Sequence, residues 1–369
     1  MDIPLLPGEF LTREWLTRQL RGAGVLPVGE VLGVTQRANA AFNSQIVHLE
    51  LAYDPDAPTS APRQVLLKTN LPEPWAVTAG AREVAFYQLV NRMDIPLPMI
   101  VPCYASLHDD RTGQSVILMQ DISDSHYVAL PRERQFSAET NVPPELVIEQ
   151  VVDALARFHA YWWEHALLMR DPALQAWKTD PQQVQQQIER CRAAWQQLVT
   201  AEGAWLPDDI QRLYTRALAD ISSLWAAEAR ERFQSQTALT LTHGDAYFAN
   251  FLCPNEPYRA PTYMIDWQCP WVDIGATDLV TLCATFWSPA QRHEAGREVN
   301  ILRRYLAVLH EAGVQNYAWD DLCRDYRLAL VDWLFVPVQD RADGARKDYW
   351  WPKMTCLLST CQEWSDTIA

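Results

Sequence analysis

Thr240-Leu-Thr-His-Gly-Asp-Ala-Tyr-Phe-Ala-Asn250, followed after a turn by Tyr263-Met-Ile-Asp-Trp267, is the stretch on which the reading of this chain depends. Its spacing is His-Gly-Asp-x-x-x-x-Asn, and then an apolar strand that ends in a carboxylate. The same order of parts makes up a phosphoryl-transfer site: an Asp that accepts a hydroxyl proton, an Asn on one Mg²⁺ and an Asp on the other. Little covalent chemistry falls to the protein when a γ-phosphoryl group moves. Catalysis is positioning and charge neutralisation, which needs a carboxylate beside the acceptor oxygen and oxygen ligands that hold Mg²⁺ against the phosphates. Asp245 and Asn250 lie five positions apart on a short loop, so their side chains can reach opposite sides of a transferred group, and Asp266 completes the set. One Asn and one Asp are the sparse oxygen set that Mg²⁺ favours. Asp245 is a better base than His243, because a carboxylate aimed at the hydroxyl can take its proton late in the reaction.

Composition narrows the class. With 49% hydrophobic and 21% charged residues over 369 positions the chain is globular, and its length suggests two lobes. The 46 acidic against 31 basic side chains, a net charge of −15, argue against nucleic acid or an anionic membrane as partner. Eight cysteines without a C-x-x-C pair read as reduced, mostly buried thiols, not a zinc site or a disulfide framework. The first residues lack the basic flank and apolar run of a signal peptide, and no later stretch reaches membrane-spanning length, so the expected location is the cytoplasm.

Upstream of the central stretch the pattern is β. Glu30 to Thr35 and Asn43 to Leu51 read as a hairpin, with Ile46, His48 and Glu50 opposite Val47, Leu49 and Leu51. A third strand, Arg63 to Thr69, carries Lys68 at the end of its apolar run. A buried unpaired charge is costly, so Glu83, in the helix of Ala81 to Val90, is its candidate partner; the alternative is a lysine that snorkels to water. Met99 to Ala105 and Ser115 to Asp121 are two more strands. Further on the pattern is helical. Pro143-Pro144 opens a helix whose apolar face includes His159, read as a core residue. Helices follow at Gln182 to Gln197, Asp208 to Phe233, Ser288 to about Ala312, Trp319 to Gln339 and Pro352 to Asp366.

His243-Gly244-Asp245 with Asn250, then Ile265-Asp266-Trp267-Gln268, resembles the signature of the aminoglycoside phosphotransferase and choline kinase superfamily, and most closely its ecdysteroid-kinase-like branch. The resemblance implies an α+β, bilobal protein-kinase-like fold: a β-rich nucleotide lobe over residues 1–119, a hinge at 120–124 and a helical catalytic and acceptor-binding lobe over 125–369. It implies transfer of the γ-phosphoryl of ATP to a small-molecule hydroxyl, with Asp245 as base and Mg²⁺ on Asn250 and Asp266. Lys68, held by Glu83, would face the α- and β-phosphates. Leu118 to Ser123, including Met119 and Asp121, resembles the hinge where backbone groups hold the adenine edge. His243 and Asp278 would brace the catalytic loop, Asp278 serving also as a helix cap. The loop Arg341 to Pro352 either borders the acceptor pocket or is solvated. One departure stands out: the turn Gln36 to Asn43, which in such a fold covers the phosphates, contains no glycine. Ser44 beside it either donates to a phosphate or is an ordinary hairpin serine. The departure favours an alternative, a nucleotide-binding pseudokinase or interaction module without turnover, against which the intact Asp245, Asn250 and Asp266 weigh. A protein kinase is disfavoured, since the catalytic loop lacks its Arg and no Ala-Pro-Glu segment follows.

Overall fold

A computed structural model describes residues 8–40, 44–93, 97–171, 174 and 176–366. The fold is mixed α+β, rich in sheet toward the N-terminus and helical toward the C-terminus, and the chain divides into two compact units. The first is Met1–Tyr127 together with a later segment, Pro254–Cys269; the second is Val128–Cys253 with Pro270–Ala369.

The first unit opens with helix α1 (Arg13–Gly22), started by Thr12, whose hydroxyl accepts from the Trp15 N–H at 3.2 Å. Five antiparallel strands follow, β1 (Val31–Ala40), β2 (Ser44–Tyr53), β3 (Gln64–Asn70), β4 (Cys103–Asp109) and β5 (Gln114–Gln120), in the order β1-β2-β3-β5-β4. The two-residue period of a strand sorts the side chains. Val47, Leu49, Leu51, Val65, Leu67, Val116 and Leu118 share a core with Trp15, Leu16 and Leu20 of α1. Lys68 therefore points to the other face, against helix α2 (Pro74–Asn91). The sheet departs from expectation at β4, which starts at Cys103 and not at Met99. Pro102 has no N–H for a ladder, and the residues before it pair elsewhere: the Met264 N–H donates to the Met99 carbonyl at 2.8 Å. That pairing draws Tyr263–Met264 into the first unit.

In the second unit Glu145–Trp162 packs on Arg297–Glu311, and a short antiparallel pair, Thr240–Thr242 with Trp271–Asp273, leads into the loop described below. Three helices differ from the sequence reading. The one expected from Ser288 to Ala312 stops at His293, because Ala295 and Gly296 take left-handed backbone (φ +52° and +69°) before Arg297 restarts it. The one expected from Trp319 to Gln339 divides into Trp319–Trp333 and Val336–Ala342, with Pro337 in the first turn of the second, where its missing N–H costs nothing. The last starts at Lys347, so part of the expected loop is helix. Pro352 is tolerated there because the carbonyl it leaves unpaired belongs to the exposed Asp348.

Lys178 is enclosed in this unit by three carboxylates, Glu228 at 2.9 Å, Asp332 at 2.8 Å and Asp273 at 3.2 Å. One buried cation cannot balance the buried Glu228 and Asp273 together with the half-buried Asp332. Burial, with Asp273 and Asp332 adding to it against the pull of Lys178, pushes the Glu228 carboxyl up to about 8. Between the ordinary carboxylate value and about 8 the folded chain therefore holds a proton that the unfolded chain has released, and stability is lost as pH rises through that window. We expect the melting temperature to fall as pH rises from 6 to 8, and Glu228→Gln to lessen that fall. An equal fall in native protein and variant would contradict this account.

Candidate active site

Lys68 stands opposite Ile117 in the β3–β5 ladder, and its ammonium lies 2.7 Å from Glu83 Oε2 and 2.6 Å from Asp266 Oδ1. Burial alone would push this lysine down, but Asp266 and Glu83 outweigh it and hold it charged, above the ordinary lysine value. Glu83, only 2% exposed, is pushed up by burial while Lys68 opposes. Asp266 has left-handed backbone, φ +67°, a conformation that asparagine and aspartate tolerate better than most residues but still at a cost of about 1 kcal/mol or more. Its neighbour secures the turn: the Trp267 indole stacks on Phe86 of α2, centroids 4.0 Å apart. The helix that carries Glu83 thus also fixes the strand end that carries Asp266.

Ser44, the first residue of β2, lines one small cavity with Lys68, Glu83 and Gln268. Met119 is buried two residues beyond Ile117, in register with Leu66 and Cys103. Asp121 belongs to a different group. Burial would raise its carboxyl, but His48 Nδ1 at 2.5 Å and the Ser123 N–H at 3.0 Å outweigh that and hold it below the usual carboxylate range. Ala41–Asn43 of the glycine-free turn lie outside the described residues.

The His243-Gly244-Asp245 loop lies in the second unit. Gly244 has φ +75°, backbone open to glycine at little cost, and this turn aims two successive N–H groups at one acceptor. That acceptor is Asp278, fully buried, the third residue of the helix Ala276–Ala284 and so not the helix cap expected from sequence; its carboxylate takes the His243 N–H at 2.7 Å and the Gly244 N–H at 3.0 Å instead. His159 Nε2 also reaches Asp278, at 3.1 Å; a carboxylate only accepts, so Nε2 carries the proton and Nδ1 accepts the Tyr305 hydroxyl at 2.8 Å. Gly275 leaves room for this chain, since a Cβ there would come within 2.3 Å of the Tyr305 hydroxyl. His243 is itself buried, and its Nδ1 accepts the Asp245 N–H at 3.3 Å.

Asp245 and Asn250 meet. The Asn250 amide nitrogen donates to the Asp245 carbonyl at 2.7 Å and to its Oδ2 at 3.0 Å. With the nitrogen so engaged, the amide oxygen of Asn250 is turned the other way, as an oxygen ligand must be. An amide oxygen and the partly exposed Asp266 carboxylate are hard donors of the kind Mg²⁺ takes.

Two participants, Gln268 and the Trp267–Phe86 stack, were given no role from sequence, although Trp267 and Gln268 follow Asp266 directly. His159, read as a core residue, is fully buried; its hydrogen bond to Asp278 spans 119 positions, and no local pattern indicates it.

The arrangement is that of a kinase-like fold, and the comparisons agree. The chain belongs to the ecdysteroid kinase-like family, whose model matches residues 84–315, a range that includes the His243 loop, Asp266 and Asp278 but not Lys68 or Glu83. No curated protein matches in sequence. Among solved structures, a choline kinase of Cryptosporidium parvum is similar with a TM-score of 0.53 at 11% identity, over 91% of this chain and 90% of that one. An ethanolamine kinase of Plasmodium vivax gives 0.47 at 11% identity, over 89% and 82%. The GDP complex of aminoglycoside 2'-phosphotransferase-IIIa gives 0.48 at 11% identity, over 95% and 99%.

Proposed function

We propose that this chain is an ATP-dependent phosphotransferase that moves the γ-phosphoryl group to a hydroxyl of a small molecule. The observation that carries the reading is the Lys68–Glu83–Asp266 cluster, in which a buried lysine is held charged by a helix carboxylate and by a carboxylate in a strained turn. A lysine so held presents a fixed positive charge to the α- and β-phosphates. Ser44, in the same cavity, would add a hydroxyl donor, and residues 120–124 after Met119 would be the hinge that holds the adenine edge. Asp245 takes the proton of the acceptor hydroxyl, and the N–H groups bound to Asp278 keep its loop from shifting. Asn250 and Asp266 would hold Mg²⁺, which when bound supplies neutralisation of the phosphate charge. The net charge of −15 suits a partner that is neither nucleic acid nor an anionic membrane; among the described residues no helix is long and apolar enough to cross a membrane.

A second reading, a nucleotide-binding module without turnover, is favoured by the glycine-free turn between β1 and β2. Transfer of γ-labelled phosphoryl from Mg·ATP to a pooled panel of hydroxyl compounds separates the two. Label on a compound supports the enzyme; nucleotide that binds and keeps its label supports the module.

A further inference from the structure

Tyr247 lies two residues after Asp245 in the same loop, and its ring begins a half-buried aromatic group. Phe286 stands 5.8 Å from it, Tyr349 stands 5.8 Å from Phe286, and Phe136 packs on both Phe286 and Tyr349 at 5.0 and 5.2 Å. Rings grouped in this way beside a carboxylate are the usual means of holding an alkylammonium ion. Here a cation is already in place, and it belongs to the chain. Lys353, 1% exposed, sets its ammonium 4.2 Å from the Tyr349 centroid, 5.7 Å from Phe286 and 5.8 Å from Tyr247. Asp340 Oδ2 at 2.7 Å and the Tyr349 hydroxyl at 2.8 Å anchor it. Lys353 follows Tyr349 by four positions in one helix, so the backbone itself stacks the ammonium over the ring.

We infer that Lys353 is a specificity-determining residue: it occupies the cation position of the aromatic group beside Asp245 and so excludes alkylammonium acceptors, leaving that group to uncharged hydroxyl compounds. A second ammonium brought to these rings would meet like charge at short range in a poorly solvated setting. It would also find Asp340, the carboxylate that could have paired with it, already engaged. The inference rests on the phosphotransferase reading for its placing of the acceptor beside Asp245.

The test is binding of choline and of tetramethylammonium, followed by ligand-observed NMR without nucleotide, to native protein, Lys353→Met and Lys353→Gln. The glutamine keeps a donor for Asp340 and Tyr349, and it serves where the methionine variant does not fold. Native protein should bind neither ion at millimolar concentration. Either variant should bind both, at least about tenfold tighter, and lose the gain when Asp340→Asn is added. Binding of choline by the native protein, or folded variants that gain none, would overturn the inference. Because the readout is binding, the two ideas fail separately. A gain of choline binding in a protein that transfers no phosphoryl group would count against the enzyme reading alone. Transfer to a neutral alcohol by a protein whose variants gain no choline binding would count against Lys353 alone.

Discussion

Asp266→Ala should lose Mg²⁺-dependent nucleotide binding and reduce turnover by about 10³-fold or more. The substitution removes one of the two oxygen donors assigned to the metal and one of the two carboxylates on Lys68. It should not unfold the chain. Lys68 keeps Glu83, so no buried charge is left without a partner, and the Trp267–Phe86 stack is untouched. The cost to stability is that of alanine at φ +67°, about 1 kcal/mol. Asp266→Asn separates charge from backbone, because asparagine accepts the left-handed conformation as aspartate does. It should be as inactive as the alanine variant but more stable. Calorimetric titration with an ATP analogue, with and without Mg²⁺, reads the effect; unchanged metal-dependent binding in Asp266→Ala would remove Asp266 from the site.

Asp245→Asn should lower kcat by about 10³-fold while leaving nucleotide affinity as it was. The replacement keeps the shape of the loop: an asparagine oxygen can still accept from the Asn250 amide, and the amide's other bond, to the main-chain carbonyl of residue 245, does not depend on that side chain. What it loses is the ability to take a proton. A loss confined to kcat is the signature of a group that acts in the transition state and not in binding. A variant that instead lost nucleotide affinity in proportion would make Asp245 a binding residue. His243 is a poor substitute for it, since its ring is buried and its Nδ1 holds the Asp245 N–H.

What could be read from the sequence follows the range of each interaction. The His-Gly-Asp-x-x-x-x-Asn spacing is local, and the contact between Asp245 and Asn250 spans five positions, so sequence alone brings them to one loop. Lys68 and Glu83 are fifteen positions apart, joined by a strand and a helix that each show their own periodicity, and the cost of a buried charge points from one to the other. Asp266 on Lys68 is another matter, because 198 positions separate them. Their meeting depends on Met99 pairing with Met264, which no propensity indicates. The enclosure of Lys178 by Glu228, Asp273 and Asp332 is hidden for the same reason: its members come from four distant segments. Within the helices the misses are at breaks. Ala295 is a strong helix former that here takes φ +52°, and only the glycine after it hinted at a stop. Nothing local marks Lys353 in its helix, because one of its two anchors, Asp340, lies in another helix thirteen positions away.

The most direct measurement is transfer of γ-labelled phosphoryl from Mg·ATP into a pooled panel of hydroxyl compounds by native protein and Asp245→Asn side by side. The account predicts label on one chemical class of compound with the native protein, and about 10³-fold slower labelling with the variant. Equal labelling by the two proteins, or none by a native protein that binds Mg·ATP, would contradict it.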